Sequence, residues 1–162
     1  MLDSSVGPRL YDRGTVRNPL RRALVALAAV LALAAPARAA DDFVVVVHPS
    51  VRGAAVHKAD LAAVFLKKVP RWGDKTPAVP VDQSATSVVR RAFSESVLGM
   101  PVSTVLQYWQ KQMFATPPQR PPAVKASDAE VVAFVAATPG AVGYVSARTT
   151  LPPEVKALSF AD

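Results

Sequence analysis

The stretch FVVVVHP, residues 43 to 49, is an unbroken run of mostly β-branched residues ended by Pro49. A strand with one wet face alternates apolar and polar residues, whereas a continuous apolar run fits a strand covered on both faces, as in a parallel or mixed sheet between helices. The segments that follow agree with that reading. HKADLAAVFLKK, from His57, sets Leu61, Val64 and Phe65 on one side of a helix of about three turns. AVPVD, from Ala78, is a second short strand, which Pro80 places at an edge or a strand end. Ser87 to Leu98 is a second helix, with Val88, Val89, Ala92, Phe93 and Val97 apolar and Gly99 positioned to stop it. A third starts near Pro101, and its stripe of Val105, Tyr108, Trp109 and Met113 reads as core.

ATPPQRPPAVK, from Ala115, has four prolines and must be a stiff loop. Ser127 and Glu130 form a capping box that opens a fourth helix, running to Gly140. AVGYV and VKALSF are further strands. The order β-α-β-α-α-α-β-β predicts an α/β sandwich: a mixed sheet of about four strands covered by helices.

Upstream of Phe43 the sequence changes character. Five arginines within residues 1 to 22 precede an apolar run from Ala23 to Ala35, a proline at 36, and Ala37-Arg38-Ala39. This is the layout of a secretory signal peptide, too short in its apolar part to span a bilayer, which needs about 20 residues. The pair Arg21-Arg22 leaves the export route, general or twin-arginine, open. We expect residues 1–39 to be the signal peptide and residues 40–162 a single domain in the periplasm. That domain keeps 13 basic and 10 acidic residues, so its net charge is +3 rather than the +7 of the whole chain.

Several functions are disfavoured by what the sequence lacks. No basic stripe with interleaved aromatics is present after residue 39, so a nucleic-acid partner is not expected. There is no cysteine, and the two histidines, His48 and His57, lack acidic companions at metal-ligand spacing, so neither a disulfide nor a zinc site is expected. No nucleophile–histidine–acid set or carboxylate pair flanks an evident pocket, so the chain is not expected to be an enzyme and no cofactor is expected.

HKADLAAVFLKKVPRWGDKTPAVPVDQ, SVVRRAF and TPGAVGYVSA follow one another, in the same order and at similar spacing, as do three motifs of a known family. Those motifs are a helix ending in Ile-Phe-x-Gly-Lys followed by Trp, an Arg-x-x-Gly-Ser-Gly-Thr-x-x-x-Phe anion loop, and a Gly-Ala-Ile-Gly-Tyr strand. From Phe43 to Phe160 the chain resembles the phosphate-binding proteins of ABC transporters, and most closely their short, single-lobe relatives. The resemblance implies a single-lobe periplasmic-binding-protein-like fold, a small oxyanion such as phosphate as ligand, and a transporter permease or another periplasmic protein as partner. It also implies a ligand open to water, hence weakly held.

Aligned on Phe93, the family's Ser-Gly-Thr falls on Ser87, Val88 and Val89, and its arginine falls on Gln83. Only the serine is retained. Such a loop works because a helix start offers unpaired N–H groups and partial positive charge. The resemblance makes Gln83, Ser84, Thr86, Ser87, Arg90 and Tyr144 the candidate ligand-binding residues, with Ser84 and Thr86 as substitute donors and Arg90 leaning back toward the anion. The alternative is that Ser87 or Thr86 caps a helix, that Arg90 and Arg91 are a solvated face, and that the domain keeps the fold as an interaction module. Lys67 stands where the family's helix stops on a left-handed glycine, so this helix must end differently or accept strain.

Overall fold

The computed structural model describes residues 43–161. The expected signal peptide lies outside the described residues. Six strands form one sheet: β1 (Phe43–Val47), β2 (Ala55–Val56), β3 (Val79–Gln83), β4 (Ala123–Lys125), β5 (Ala141–Ser146) and β6 (Lys156–Phe160). Their order across the sheet is β2-β6-β1-β5-β3-β4. β1 pairs antiparallel with β5 and β6, whereas β3 runs parallel to both β5 and β4, so the sheet is mixed.

The β-branched run is interior, as its two-faced composition requires. Phe43, Val45 and Val47 pack with Val142, Tyr144 and Leu158 on one face, while Val46 joins Val81, Val131, Val135 and Val145 on the other. Helices α1 (Lys58–Phe65) and α2 (Val88–Phe93) cover the first face through Leu61, Val64, Phe65 and Phe93. Helix α4 (Asp128–Ala137) covers the second with Val131 and Val135. Each such side chain contributes on the order of 1.5–3 kcal/mol when fully buried.

Gly143 explains why α4 can lie so close to the sheet. A Cβ there would stand 2.6 Å from Val131 Cγ1 and 2.8 Å from Val81 Cγ1, a separation no methyl tolerates. Half of the capping box forms at the start of α4: Glu130 N donates to Ser127 Oγ at 3.3 Å, while Glu130 Oε2 accepts from Ala126 N, one residue before the cap, at 3.0 Å. Lys67 adopts the left-handed conformation at φ 51°, so α1 stops at the family's position by accepting the strain that glycine would avoid.

Two expectations need correction. The sheet has six strands, because β2 and β4 span only two and three residues, too short for a periodicity to show. β3 is interior, and Pro80 stands at its strand end, one of the two expected places, where β4 has not yet begun to pair. In α3 (Val102–Met113) Val105 and Trp109 are buried and Tyr108 donates its hydroxyl to Leu66 O at 2.9 Å, but Met113 is 45% exposed. α3 packs mainly against the single π-helical turn Ser94–Leu98 that extends α2, so its last turn runs past the core.

Candidate functional site

β3 ends at Gln83, and a turn closed by Ser87 N donating to Ser84 O at 2.9 Å leads into α2. Ser87 caps that helix: its Oγ accepts from Arg90 N at 3.2 Å, and its carbonyl accepts from Arg91 N at 3.2 Å. The N–H groups of Val88 and Val89 come before the first of these bonds and so have no acceptor within the helix.

The candidate donors are largely committed to one another. Gln83 is 3% exposed; its Nε2 donates to Asp128 Oδ1 at 2.8 Å and to Tyr144 O at 2.9 Å, and its Oε1 accepts from Ser87 Oγ at 2.7 Å. Ser87 therefore both donates and accepts within the protein. Arg90 is 5% exposed and turns inward, where its guanidinium meets Asp82 Oδ2 at 2.7 Å and donates to Gln83 O at 2.7 Å. Asp82 also accepts from Gln83 N at 2.8 Å and from the Tyr144 hydroxyl. Tyr144 is fully buried and stacks on Phe93 with ring centroids 4.0 Å apart, so it is core rather than cleft wall.

Burial raises the Asp82 carboxyl above the ordinary aspartate value, against the pull of Arg90, the Tyr144 hydroxyl and the Gln83 N–H. Burial, reinforced by the Asp82 charge, likewise pushes the Tyr144 phenol up. The void bounded by Asp82, Arg90, Phe93 and Tyr144 is about 10 Å³, room for no more than one water. An oxyanion does not fit there. Asp82 supplies from within the negative charge that a bound anion would otherwise bring to Arg90.

Outside this network lies a recess of about 280 Å³ between the start of α2 and the loop after β5, lined by Val88, Val89, Ser146, Ala147 and Arg148. Arg148 is exposed, its N–H donates to Ser146 Oγ at 3.3 Å, and its guanidinium has no partner among the described residues. Asp128 braces the recess from below, its Oδ2 accepting from Ser146 N at 3.1 Å and from Thr149 Oγ1 at 2.8 Å. Ser84 and Thr86 hydrogen-bond to each other at 3.1 Å in the turn ahead of α2, where Thr86 is exposed.

Sequence reasoning missed Asp82, Asp128 and Arg148. Strand alternation in VPVDQ could have shown Asp82 on the α2 face of β3. Arg148 follows directly on the third motif, in GYVSAR, and could have been read as the charge at its end. No cluster of three or more metal-ligating side chains occurs among the described residues.

A mixed sheet sandwiched by helices, with a recess where one helix starts beside a strand's C-terminal end, defines a one-lobe binding fold. A family model described as a PBP superfamily domain matches residues 35–160, and the chain belongs to that superfamily. Among solved structures, an ABC-type phosphate transport receptor from Vibrio cholerae matches with a TM-score of 0.56 at 20% identity, covering 75% of this chain and 47% of the receptor. A putative phosphate ABC transporter substrate-binding protein with bound phosphate, from Clostridium perfringens, gives 0.57 at 16%, covering 74% and 44%. PstS from Borrelia burgdorferi gives 0.55 at 13%, covering 75% and 47%. The chain thus spans less than half the length of these proteins, which share its fold. No curated protein matches the sequence.

Proposed function

We propose that this is an exported, non-enzymatic solute-binding lobe that takes a small oxyanion, phosphate or one like it, in the recess at the start of α2. The observation that carries the reading is Arg148: an exposed guanidinium without a partner among the described residues, lining a recess that is also walled by a helix start and by Ser146. Val88 and Val89 N–H groups and the Arg148 fork are the principal donors, with the Ser84 and Thr86 hydroxyls in the turn beside them. Gln83, Ser87, Arg90 and Tyr144 act beneath the site by fixing the helix start. The volume suits an ion of a few heavy atoms, and the openness to water keeps affinity on the order of millimolar, about 4 kcal/mol. Residues 1–39 are removed as a signal peptide, and a permease or another periplasmic protein is the partner.

A second reading has its own observation. Val88, at the position of the family's glycine, is 71% exposed and projects an apolar side chain beside the recess. A domain that docks on a protein through this face would use it so. Calorimetric titration with phosphate and with sulfate separates the two readings. Saturable, salt-sensitive binding that is lost in Arg148→Ala supports the oxyanion site; no heat from either anion at tens of millimolar, well above the estimate, leaves the docking reading.

A further inference from the structure

On the sheet face covered by α1, a second surface has a different chemistry. Lys67 and Lys68 stand just past the end of α1, and the loop that follows carries Arg71 and Lys75. This loop is ordered: Trp72 N donates to Thr76 O at 2.8 Å, Lys75 N to Trp72 O at 2.9 Å, and Arg71 Nη1 to Lys75 O at 3.1 Å. Arg52 reaches the same loop, where its charge acts on Asp74. Four of the 13 basic residues after position 39, Lys67, Lys68, Arg71 and Lys75, thus fall within residues 67–75, where the one acid is Asp74, its Oδ1 taken by Thr76 N at 2.9 Å.

Beside these cations lies a recess of about 420 Å³ whose walls are Val56, Val64, Val69 and Trp72, with Arg71 and Asp60 at its rim. Val69 is 43% exposed there. The indole N–H of Trp72 is already used, donating to Gly140 O at 3.0 Å, so what the ring offers the recess is apolar surface.

We propose that this surface binds an acidic peptide segment of a partner protein, seating one aromatic or branched side chain in the Val56–Val64–Val69–Trp72 recess while its carboxylates meet Lys67, Lys68 and Arg71. Complementarity of charge selects the acidic partner and speeds its arrival. The concave apolar floor selects a peptide over an anionic bilayer, because a flat headgroup surface leaves such a recess unfilled. Asp60 sets the orientation. It sits in the first turn of α1, five residues before the helix ends at Phe65, about 7.5 Å along the axis, so the acids of the peptide lie past the C-terminal end of α1 and away from Asp60. This surface shares no residue with the recess at Arg148, so the two proposals stand or fall separately.

The probe is the peptide acetyl-Glu-Asp-Phe-Asp-Glu-amide, titrated into the purified protein and followed by amide chemical shifts. Saturable shifts at residues 67–75 are expected. Binding should weaken by about tenfold or more when the probe's Phe is replaced by Ser, since the anchor dominates such contacts. It should weaken likewise in Val69→Ser and in the double variant Lys68→Glu/Arg71→Glu, fall with added salt, and be unchanged in Arg148→Ala. No shifts in this loop overturn the proposal, as does binding indifferent to loss of the Phe. Sedimentation with phosphatidylglycerol vesicles, sensitive to Lys68→Glu/Arg71→Glu and unaccompanied by peptide binding, overturns it in favour of a membrane surface.

Discussion

Replacing Arg90 by Met distinguishes an arginine that holds the protein together from one that waits for a ligand. The substitution keeps most of the aliphatic stem but removes the guanidinium from Asp82 Oδ2 and from Gln83 O, each 2.7 Å away. Asp82 is only 7% exposed, so water cannot take over the lost contacts. Stranding one member of a buried pair costs about 3–5 kcal/mol, a large share of the 5–15 kcal/mol or so that holds a domain folded. With a urea slope of about 1.5–2 kcal/mol per molar, the midpoint should fall by roughly 2 M. The double variant Asp82→Asn/Arg90→Met should regain much of this, because the carboxylate charge goes while an acceptor stays for the Tyr144 hydroxyl and the Gln83 N–H. Urea unfolding followed by circular dichroism on wild type, both single variants and the double variant closes the cycle. A loss below about 1 kcal/mol in Arg90→Met, at the level of an exposed ion pair, would refute the reasoning and return Arg90 to the ligand.

Gly143→Ala forces a methyl against Val131 and Val81 and should cost about 1–3 kcal/mol of stability in the same assay; a neutral result would mean that α4 stands further from the sheet. The pH dependence of the site has a definite sign. Burial holds Asp82 above its ordinary value, so the native state binds this proton more tightly than the unfolded chain does; the resulting stability is fully present below that ordinary value and is lost as pH rises through the raised native one. The stability of wild type relative to Asp82→Asn should therefore decline across that window, and a rise would show the ion pair outweighing burial. Ser127→Ala removes the cap of α4 and should cost about 1 kcal/mol, with faster amide exchange confined to the first turn of α4; unchanged exchange there would show that the cap does not hold it.

The fold was legible where local chemistry and tertiary role coincide. FVVVV carries its two-faced burial in its own residues, and the capping box at Ser127 marks a helix start without help from elsewhere. Two-residue β2 and three-residue β4 were not legible, since they exist only because β6 and β3 offer them an edge. The site was half legible. The position of the helix start follows from the sequence; its cap was left between Ser87 and Thr86, and the bond from Arg90 N decides for Ser87. The burial of Arg90 does not, because a charged residue one turn into a short helix reads as solvated until a partner is seen, and that partner, Asp82, lies in a different element. Tyr144, a candidate ligand-binding residue, was not legible as core for the same reason: its stacking on Phe93 and its hydroxyl to Asp82 are tertiary contacts.

That an oxyanion sits over Arg148, and not at Arg90, is tested most directly by mapping amide chemical shifts during a phosphate titration. The account predicts saturable shifts that are largest at Val88, Val89 and the segment from Ser146 to Arg148, with the Asp82 and Arg90 amides following only as neighbours. Shifts that centre on Asp82 and Arg90 with Arg148 silent, or none in either place at tens of millimolar phosphate, far beyond a millimolar dissociation constant, would contradict it.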